Sequence, residues 1–258
     1  MIDTQVHLLD PEGHPYPERT QGYRPSEAET GRVADLLGEM EPAHVSRAIL
    51  VQASVYGTDN AAILDAVAAD PVRFRAVVMA EEDAVPGFAA MPGVVGVRLN
   101  LTDYSGHGGV QDVRRIAAGI LDHGLILQLQ ATPDEATALL DALPPGPVIL
   151  DHFCRVDLTR PDDLRAVVRM AERDDCYLKV SGAFRLTGLD DWRTPDARLM
   201  SLCAAYGAER VLWGSDWPFI KLDGPRPTYR DTIAAAGQLI DLDHASVNAE
   251  RLFGWSDG

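Results

Sequence analysis

Two histidines and one aspartate stand near the ends of short apolar runs in this sequence, and together they could activate water against an acyl carbon. His7 closes the first such run, His152 the sixth and Asp216 the eighth. A carboxylate can accept a proton from water, and an imidazole can polarise a carbonyl or bind a metal ion. Polar groups at the ends of buried strands are costly unless they are satisfied or used. We therefore treat these three as the candidate catalytic residues.

Further polar side chains near the run ends could bind a substrate. An arginine can hold a carboxylate through two parallel hydrogen bonds, although a salt bridge inside the fold is the alternative for each arginine. For the whole set, the alternative is that these side chains have no functional role and are polar groups whose hydrogen bonds are satisfied inside the barrel. The candidate substrate-binding residues are Arg98, Arg185, Tyr56, Gln130 and Asn100. Cys154 could be a thiol nucleophile, but we expect an inert small residue.

The elements that must position these residues are predicted by an alternation of short β-branched runs with longer amphipathic ones. The predicted strands are residues 2–8, 47–52, 73–79, 94–99, 125–130, 148–152, 176–181 and 210–216. The predicted helices are residues 26–40, 60–69, 110–122, 133–143, 161–173, 195–206 and 227–240, with 81–91 the weakest helical segment. Such alternation indicates parallel βαβ units. Eight units in one domain length predict a single (β/α)8 TIM barrel spanning residues 1–258, with the candidate residues at the carboxyl ends of the strands.

Composition narrows the class of protein. The 258 residues carry 23 Lys and Arg against 39 Asp and Glu, a net charge of −16. A chain with this negative charge is repelled by nucleic acid and by anionic membranes, and we expect it to bind neither. The three cysteines have no paired spacing, no apolar run nears the ~18 residues of a membrane span, and we see no signal peptide before the first run. We expect a cytoplasmic protein with a small-molecule substrate, and leave its oligomeric state open.

Taken together, the motifs resemble the amidohydrolase superfamily, and within it the amidohydrolase-related group that includes 2-pyrone-4,6-dicarboxylate lactonases and sugar lactonases. The resemblance covers nearly the whole chain. Asp3-Thr4-Gln5-Val6-His7 is similar to the Asp-x-His-x-His motif of the first strand. The other matching segments are residues 51–60, 96–100, 151–155, 179–185, 213–218 and 247–254.

The resemblance implies a hydrolase whose Asp216 activates water, but the chain departs from the pattern. Gln5 replaces the first motif histidine, and Arg98 stands on the fourth strand, where a binuclear metal site needs a lysine or carboxylate. An amide is a poor transition-metal ligand beside imidazole. We therefore expect either no required cofactor or a single Zn²⁺ or Mn²⁺ held by His7, His152 and Asp216. Asp103 would oppose a second substrate carboxylate.

These observations predict a hydrolase that opens a lactone, or a similarly activated ester, of a small carboxylate-bearing substrate. Asp216 would take the proton from water, and burial would have to raise its pKa for that role. His152 and His7 would polarise the carbonyl, while Arg98 and Arg185 hold the anionic group. Two alternatives stay open. One is a metal-dependent, non-oxidative decarboxylase on the same barrel, and the other is a catalytically inactive binding barrel.

Overall fold

The computed structural model describes residues 1–18, 23–102, 110–222 and 224–255. Its eight parallel strands lie side by side in sequence order, each paired in parallel with the next. The strands are β1 Ile2–Val6, β2 Arg47–Val51, β3 Phe74–Val78, β4 Val94–Asn100, β5 Ile126–Gln130, β6 Val148–Leu150, β7 Cys176–Val180 and β8 Val211–Trp213. All eight fall within the predicted runs or one residue beyond them. This arrangement confirms the predicted (β/α)8 barrel.

The first and last strands meet just beyond the regular end of β8, and this contact closes the barrel. The backbone N–H of His7 donates to the carbonyl of Trp217 at 2.9 Å, and the N–H of Asp216 donates to the carbonyl of Gln5 at 2.8 Å. A Cβ at Gly214 would lie 2.4 Å from the Cβ of Gln5, so only glycine permits this approach. The closure brings the two strand ends that carry His7 and Asp216 to the same rim.

Helices cover the outside of the barrel. They are α1 Val33–Met40, α2 Ala61–Ala69, α3 Val85–Ala89, α4 Val110–Asp122, α5 Pro133–Leu140, α6 Pro161–Met170, α7 Ala197–Tyr206, α8 Tyr229–Ala236 and α9 Leu242–Phe253. The helix predicted over residues 26–40 is shorter in the structure. Leu9 and Gly31 exchange two backbone hydrogen bonds, at 2.8 and 2.9 Å. Because the N–H and carbonyl of Gly31 are used in these bonds, they are not available for a helix that would run through this residue.

The barrel interior is apolar at one end and polar at the other. Ile49, Val77, Ile149 and Leu212 fill the lower interior and pack with Phe253 of α9. A larger apolar layer lies between the strands and the outer helices. The polar side chains at the carboxyl ends of the strands therefore lie directly above a packed apolar layer, as in other barrels of this type. No helix among the described residues is long and apolar enough to span a membrane.

Candidate active site

The three candidate catalytic residues come together at the carboxyl end of the barrel. The Nε2 atom of His7 lies 3.7 Å from Oδ1 of Asp216, and the Nε2 atom of His152 lies 3.7 Å from the same oxygen. All three side chains are buried. Residues that are far apart in sequence thus converge on one carboxylate oxygen, as the strand-end pattern predicts.

Each imidazole is held in place by a contact at Nδ1, the ring nitrogen that faces away from Asp216. Nδ1 of His7 lies 2.8 Å from the carbonyl oxygen of Val51, and Nδ1 of His152 lies 2.8 Å from the hydroxyl of Ser181. A Cβ at Gly182 would come within 2.7 Å of Nδ1 of His152, so this position also requires glycine. Both rings therefore direct Nε2 at Asp216.

A left-handed turn places His152 in the site. Strand β6 ends at Leu150, and the four residues from His152 to Arg155 all have positive φ, between 51° and 57°. Each non-glycine residue in this region is disfavoured by about 1–2 kcal/mol, and such strain is retained chiefly at functional sites. Cys154 lies inside the turn, where burial raises the pKa of its thiol well above its usual range. This agrees with an inert cysteine.

Arg185 sets the charge state of Asp216. Its Nε atom donates to Oδ2 of the carboxylate at 2.5 Å. Burial raises the pKa of Asp216, but the charge of Arg185, together with His152 and His7, outweighs burial and lowers the pKa to about 2. The expectation that burial would raise this pKa is wrong, because the contact with Arg185 outweighs the effect of burial. Asp216 is therefore ionised throughout the neutral range.

The two histidines are neutral at pH 7. Burial lowers the pKa of His7 to about 4, and the nearby charge of Arg98 adds to this effect. Burial likewise lowers the pKa of His152 to about 4, against the opposing attraction of Asp216. The site thus combines one carboxylate and two uncharged imidazoles.

Arg98 takes part in hydrogen bonds inside the barrel and also lines the cavity. It donates to the carbonyl of Gln52 at 2.9 Å and to Oε1 of Gln130 at 2.5 Å. Its Nε lies 3.9 Å from Oδ2 of Asp151. The internal salt bridge considered as an alternative is therefore present for Arg98, as it is for Arg185. Both arginines nevertheless line the cavity.

The structure places two of the candidate substrate-binding residues beside the cavity rather than in its wall. Asn100 donates to the hydroxyl of Ser54 at 2.9 Å. The hydroxyl of Tyr56 donates to the carbonyl of His14 at 2.9 Å and accepts from the N–H of Asp10 at 3.1 Å. Tyr56 thus fixes the loop that follows β1, a role in which its hydroxyl is used internally. Asp103 lies outside the described residues.

A cavity of about 160 Å³ opens over these groups. Its lining residues are His7, Tyr23, Ala53, Ser54, Val55, Arg98, Gln130, His152, Arg155, Arg185, Asp216, Ile220 and Lys221. Arg155 and Lys221 were not among the sequence candidates. Arg155 could have been found from its spacing of three residues after His152, whereas Lys221 approaches only because of the fold. Four basic side chains therefore line the cavity of a protein with net charge −16.

The donor set does not fit a metal ion in this arrangement. Among the described residues, no three His, Cys, Asp or Glu side chains are grouped so as to hold one. Oδ2 of Asp216 is occupied by a guanidinium, whose positive charge opposes a cation at this point. Gln5 presents its amide nitrogen to His7 at 3.5 Å, because its oxygen accepts from Lys179 at 2.7 Å. An amide NH₂ group is not a metal ligand.

Known proteins resemble this chain along most of its length. Residues 2–255 match the family described as Amidohydrolase. A 4-sulfomuconolactone hydrolase of Rhizobium radiobacter is 28% identical over 84% of this chain and 75% of its own. A 2-pyrone-4,6-dicarboxylate hydrolase of Comamonas testosteroni is 27% identical over 96% and 85%, respectively. A Pseudomonas putida structure named a 2-pyrone-4,6-dicarboxylic acid hydrolase superposes with a TM-score of 0.81 at 26% identity, covering 100% of this chain and 98% of that one.

Proposed function

This chain belongs to the amidohydrolase family, and from that membership and the geometry of its site we propose that it hydrolyses a small lactone carrying an anionic group. The observation that carries the proposal is the convergence of two neutral imidazoles on one ionised carboxylate, in a cavity lined by four basic side chains. The activities after which its relatives are named, hydrolysis of 4-sulfomuconolactone and of 2-pyrone-4,6-dicarboxylate, support the same reaction and an anionic substrate.

In the proposed reaction, Asp216 accepts a proton from water while the water oxygen bonds to the acyl carbon. His152 stabilises the developing oxyanion on the carbonyl oxygen. The ring C–O bond then breaks, and the proton passes to the departing oxygen. General-base assistance contributes about 10²–10⁴ in rate. Because the contact with Arg185 keeps the pKa of Asp216 near 2, Asp216 is a weak base and we expect the lower end of that range. One oxyanion donor contributes about 3–4 kcal/mol. These amounts suit an activated ester better than an amide.

The basic side chains account for the anionic group. Arg98 and Arg185 approach the cavity from β4 and from the loop after β7. A cavity of about 160 Å³ admits a ring of a few heavy atoms bearing a carboxylate or a similar oxyanion. Guanidinium groups recognise such anions through paired, charge-assisted hydrogen bonds.

We further propose that the reaction needs no metal ion, and one experiment tests this together with the lactone assignment. The purified protein, with its metal content measured, is assayed before and after exhaustive chelation on matched lactones with and without a carboxylate. We expect ring opening of the carboxylated lactones, with chelation changing the rate less than about twofold, because the guanidinium of Arg185 already balances the charge of the Asp216 carboxylate.

Three results would count against these proposals. Activity that chelation abolishes and one equivalent of Zn²⁺ or Mn²⁺ restores would overturn the metal-free assignment. Release of CO₂ from an unsaturated or aromatic acid, without lactone hydrolysis, would favour the decarboxylase. Binding of carboxylated lactones without turnover would favour an inactive barrel.

The pH dependence of the parent enzyme follows from the two histidines. We expect kcat/KM to stay level from pH 7 down to about pH 5 and to fall to half near pH 4, because the neutral imidazoles protonate at about 4. Asp216, with its pKa near 2, stays ionised over this range. The measurement is kcat/KM from pH 3.5 to 7, with the fold followed by circular dichroism. A midpoint near 6.5, the ordinary histidine value, would contradict it.

A further inference from the structure

Four buried polar residues beneath the active site form a closed set of contacts, which we call the lysine cluster: Gln5, Gln128, Asp151 and Lys179. Nζ of Lys179 lies 2.7 Å from Oε1 of Gln5 and 2.9 Å from Oδ1 of Asp151. Nε2 of Gln128 donates to Oε1 of Gln5 and to Oδ2 of Asp151, both at 2.9 Å. All four side chains are fully buried, and the proposed reaction above uses none of them.

The chemistry of the cluster determines which way each amide faces. Burial raises the pKa of Asp151, but the charges of Lys179, His152 and Arg98 outweigh burial and lower it. Asp151 is thus a carboxylate and can only accept hydrogen bonds. The Gln128 atom beside it must be the NH₂ group, and that same group lies against Gln5.

Gln5 is thereby oriented as well. Its oxygen must face the two donors, Lys179 and Gln128. Its amide nitrogen then lies on the opposite side, 3.5 Å from Nε2 of His7. An NH₂ group directed at Nε2 requires a lone pair on that ring nitrogen rather than a hydrogen.

An independent contact gives the same result for His7. Its Nδ1 atom lies 2.8 Å from the carbonyl oxygen of Val51, which only accepts. Nδ1 must therefore carry the hydrogen, and a neutral imidazole carries only one. Two unrelated neighbours, Val51 and Gln5, thus both leave Nε2 of His7 with a lone pair.

We propose that the lysine cluster fixes His7 as a hydrogen-bond acceptor for the attacking water, so that Gln5 and Lys179 are positioning residues for the hydrolysis. The proposal rests on the function proposed above. Buried ionic groups are weak contributors to stability compared with apolar residues of the same size, which is consistent with a positioning role for this ammonium group.

The geometry explains what an acceptor at this point does. Nε2 of His7 and Oδ1 of Asp216 are two acceptors 3.7 Å apart. The amide of Gln5 approaches the single lone pair of Nε2 only to 3.5 Å, a long contact that a closer donor replaces. A water molecule that donates one hydrogen to Nε2 and the other to Oδ1 then directs its oxygen lone pair away from both, toward an acyl carbon in the cavity. As the O–C bond forms, the hydrogen facing Asp216 transfers to the carboxylate, and the other stays bonded to oxygen and directed at His7.

Polarising the carbonyl then falls to His152. Its Nδ1 partner is the hydroxyl of Ser181, which can donate as well as accept. Nε2 of His152 can therefore carry a hydrogen toward the substrate, whereas Nε2 of neutral His7 cannot. The role expected from sequence for both histidines is retained for His152 and replaced for His7.

The parent protein gives the first test, without any assay. In long-range ¹H–¹⁵N spectra of histidine-labelled protein at pH 7, with the His7 signals identified from their loss in His7→Gln, we expect protonated Nδ1 and unprotonated Nε2. A protonated Nε2 would overturn the proposal. Because this readout needs no substrate, failure of the lactonase assignment leaves it intact, and its own failure leaves that assignment intact.

The second test compares Gln5→Glu with Gln5→Met. Glutamate keeps the size of Gln5 but places an acceptor against Nε2 of His7, so His7 should become protonated there. We expect kcat to fall about tenfold, the effect of losing one hydrogen bond that positions the attacking water. KM should change less than about twofold, because Gln5 does not line the cavity. Gln5→Met removes the contact without reversing it, so His7 should keep its protonation state and the loss of kcat should be smaller.

Gln52→Met is the matched control, since Gln52 is a buried glutamine that bonds the carbonyls of Gly57 and Asp59. Its His7 spectrum should equal that of the parent. A folded Gln5→Glu protein with the parent kcat, or with an unchanged His7 spectrum, would overturn the positioning role. If Gln5→Glu does not fold, the parent spectrum and Gln5→Met decide the question, and a Gln5→Met protein with the parent kcat would overturn the role of Gln5.

Discussion

Replacing Asp216 with asparagine should lower kcat on a confirmed lactone by at least about 10²-fold, the lower end of the range for a general base. Asparagine keeps the size of the side chain but cannot accept the proton of water. KM should change little, the pattern of an interaction that is needed only in the transition state. Steady-state kinetics on the folded variant measures both values.

The control for this change is Asp163→Asn. Asp163 is a buried aspartate of α6 that accepts from the N–H of Asp157 at 3.2 Å, away from the cavity, so its loss should leave kcat within a few-fold of the parent. An Asp216→Asn protein with near-full turnover would remove Asp216 from the mechanism. His152 would then be the next candidate for the base.

Lys179→Met should destabilise the protein by about 3–5 kcal/mol, the usual effect of removing one partner of a buried ion pair. Lys179 and Asp151 are both fully buried and 2.9 Å apart. Methionine fills much of the same space but leaves the Asp151 carboxylate with less compensation, since Arg98 approaches it only to 3.9 Å. Urea unfolding at pH 7 gives the free energy of unfolding.

The double variant Lys179→Met with Asp151→Leu separates charge from packing. Removing the carboxylate as well should make the protein more stable than Lys179→Met alone, because neither charge of the Lys179–Asp151 pair then remains buried without its partner. If the double variant is the less stable of the two, shape rather than charge explains the effect of the lysine. A loss below about 1 kcal/mol in the single variant, the range of exposed pairs, would show that the pair is not stabilising.

The barrel and the meeting of His7, His152 and Asp216 could be predicted because both depend on local patterns. Strand length, the alternation with helices and the polar residue at each strand end are visible in short windows of sequence. Closure of eight parallel strands then requires their carboxyl ends to meet at one rim. The prediction of three distant residues in one site follows from these two facts.

The charge state of the site could not be predicted in the same way, because it depends on contacts through space. The contact of Arg185 with Asp216 reverses the expected direction of the carboxylate's pKa. The orientation of Gln5 is determined by Lys179, 174 residues further along the chain. Lys221 reaches the cavity from the loop after β8, and its backbone N–H is bonded to Glu29 at 2.9 Å.

The four basic residues of the cavity also bear on how the enzyme releases its product. Opening a lactone creates a new carboxylate, so the product carries one more negative charge than the substrate and is attracted more strongly by Arg98, Arg155, Arg185 and Lys221. Outside the cavity, a protein of net charge −16 repels the departing anion. At physiological ionic strength, salt largely screens exposed charges that lie more than about 8 Å apart. We therefore expect product inhibition that weakens as ionic strength rises, measured by adding the ring-opened acid to the assay at several salt concentrations.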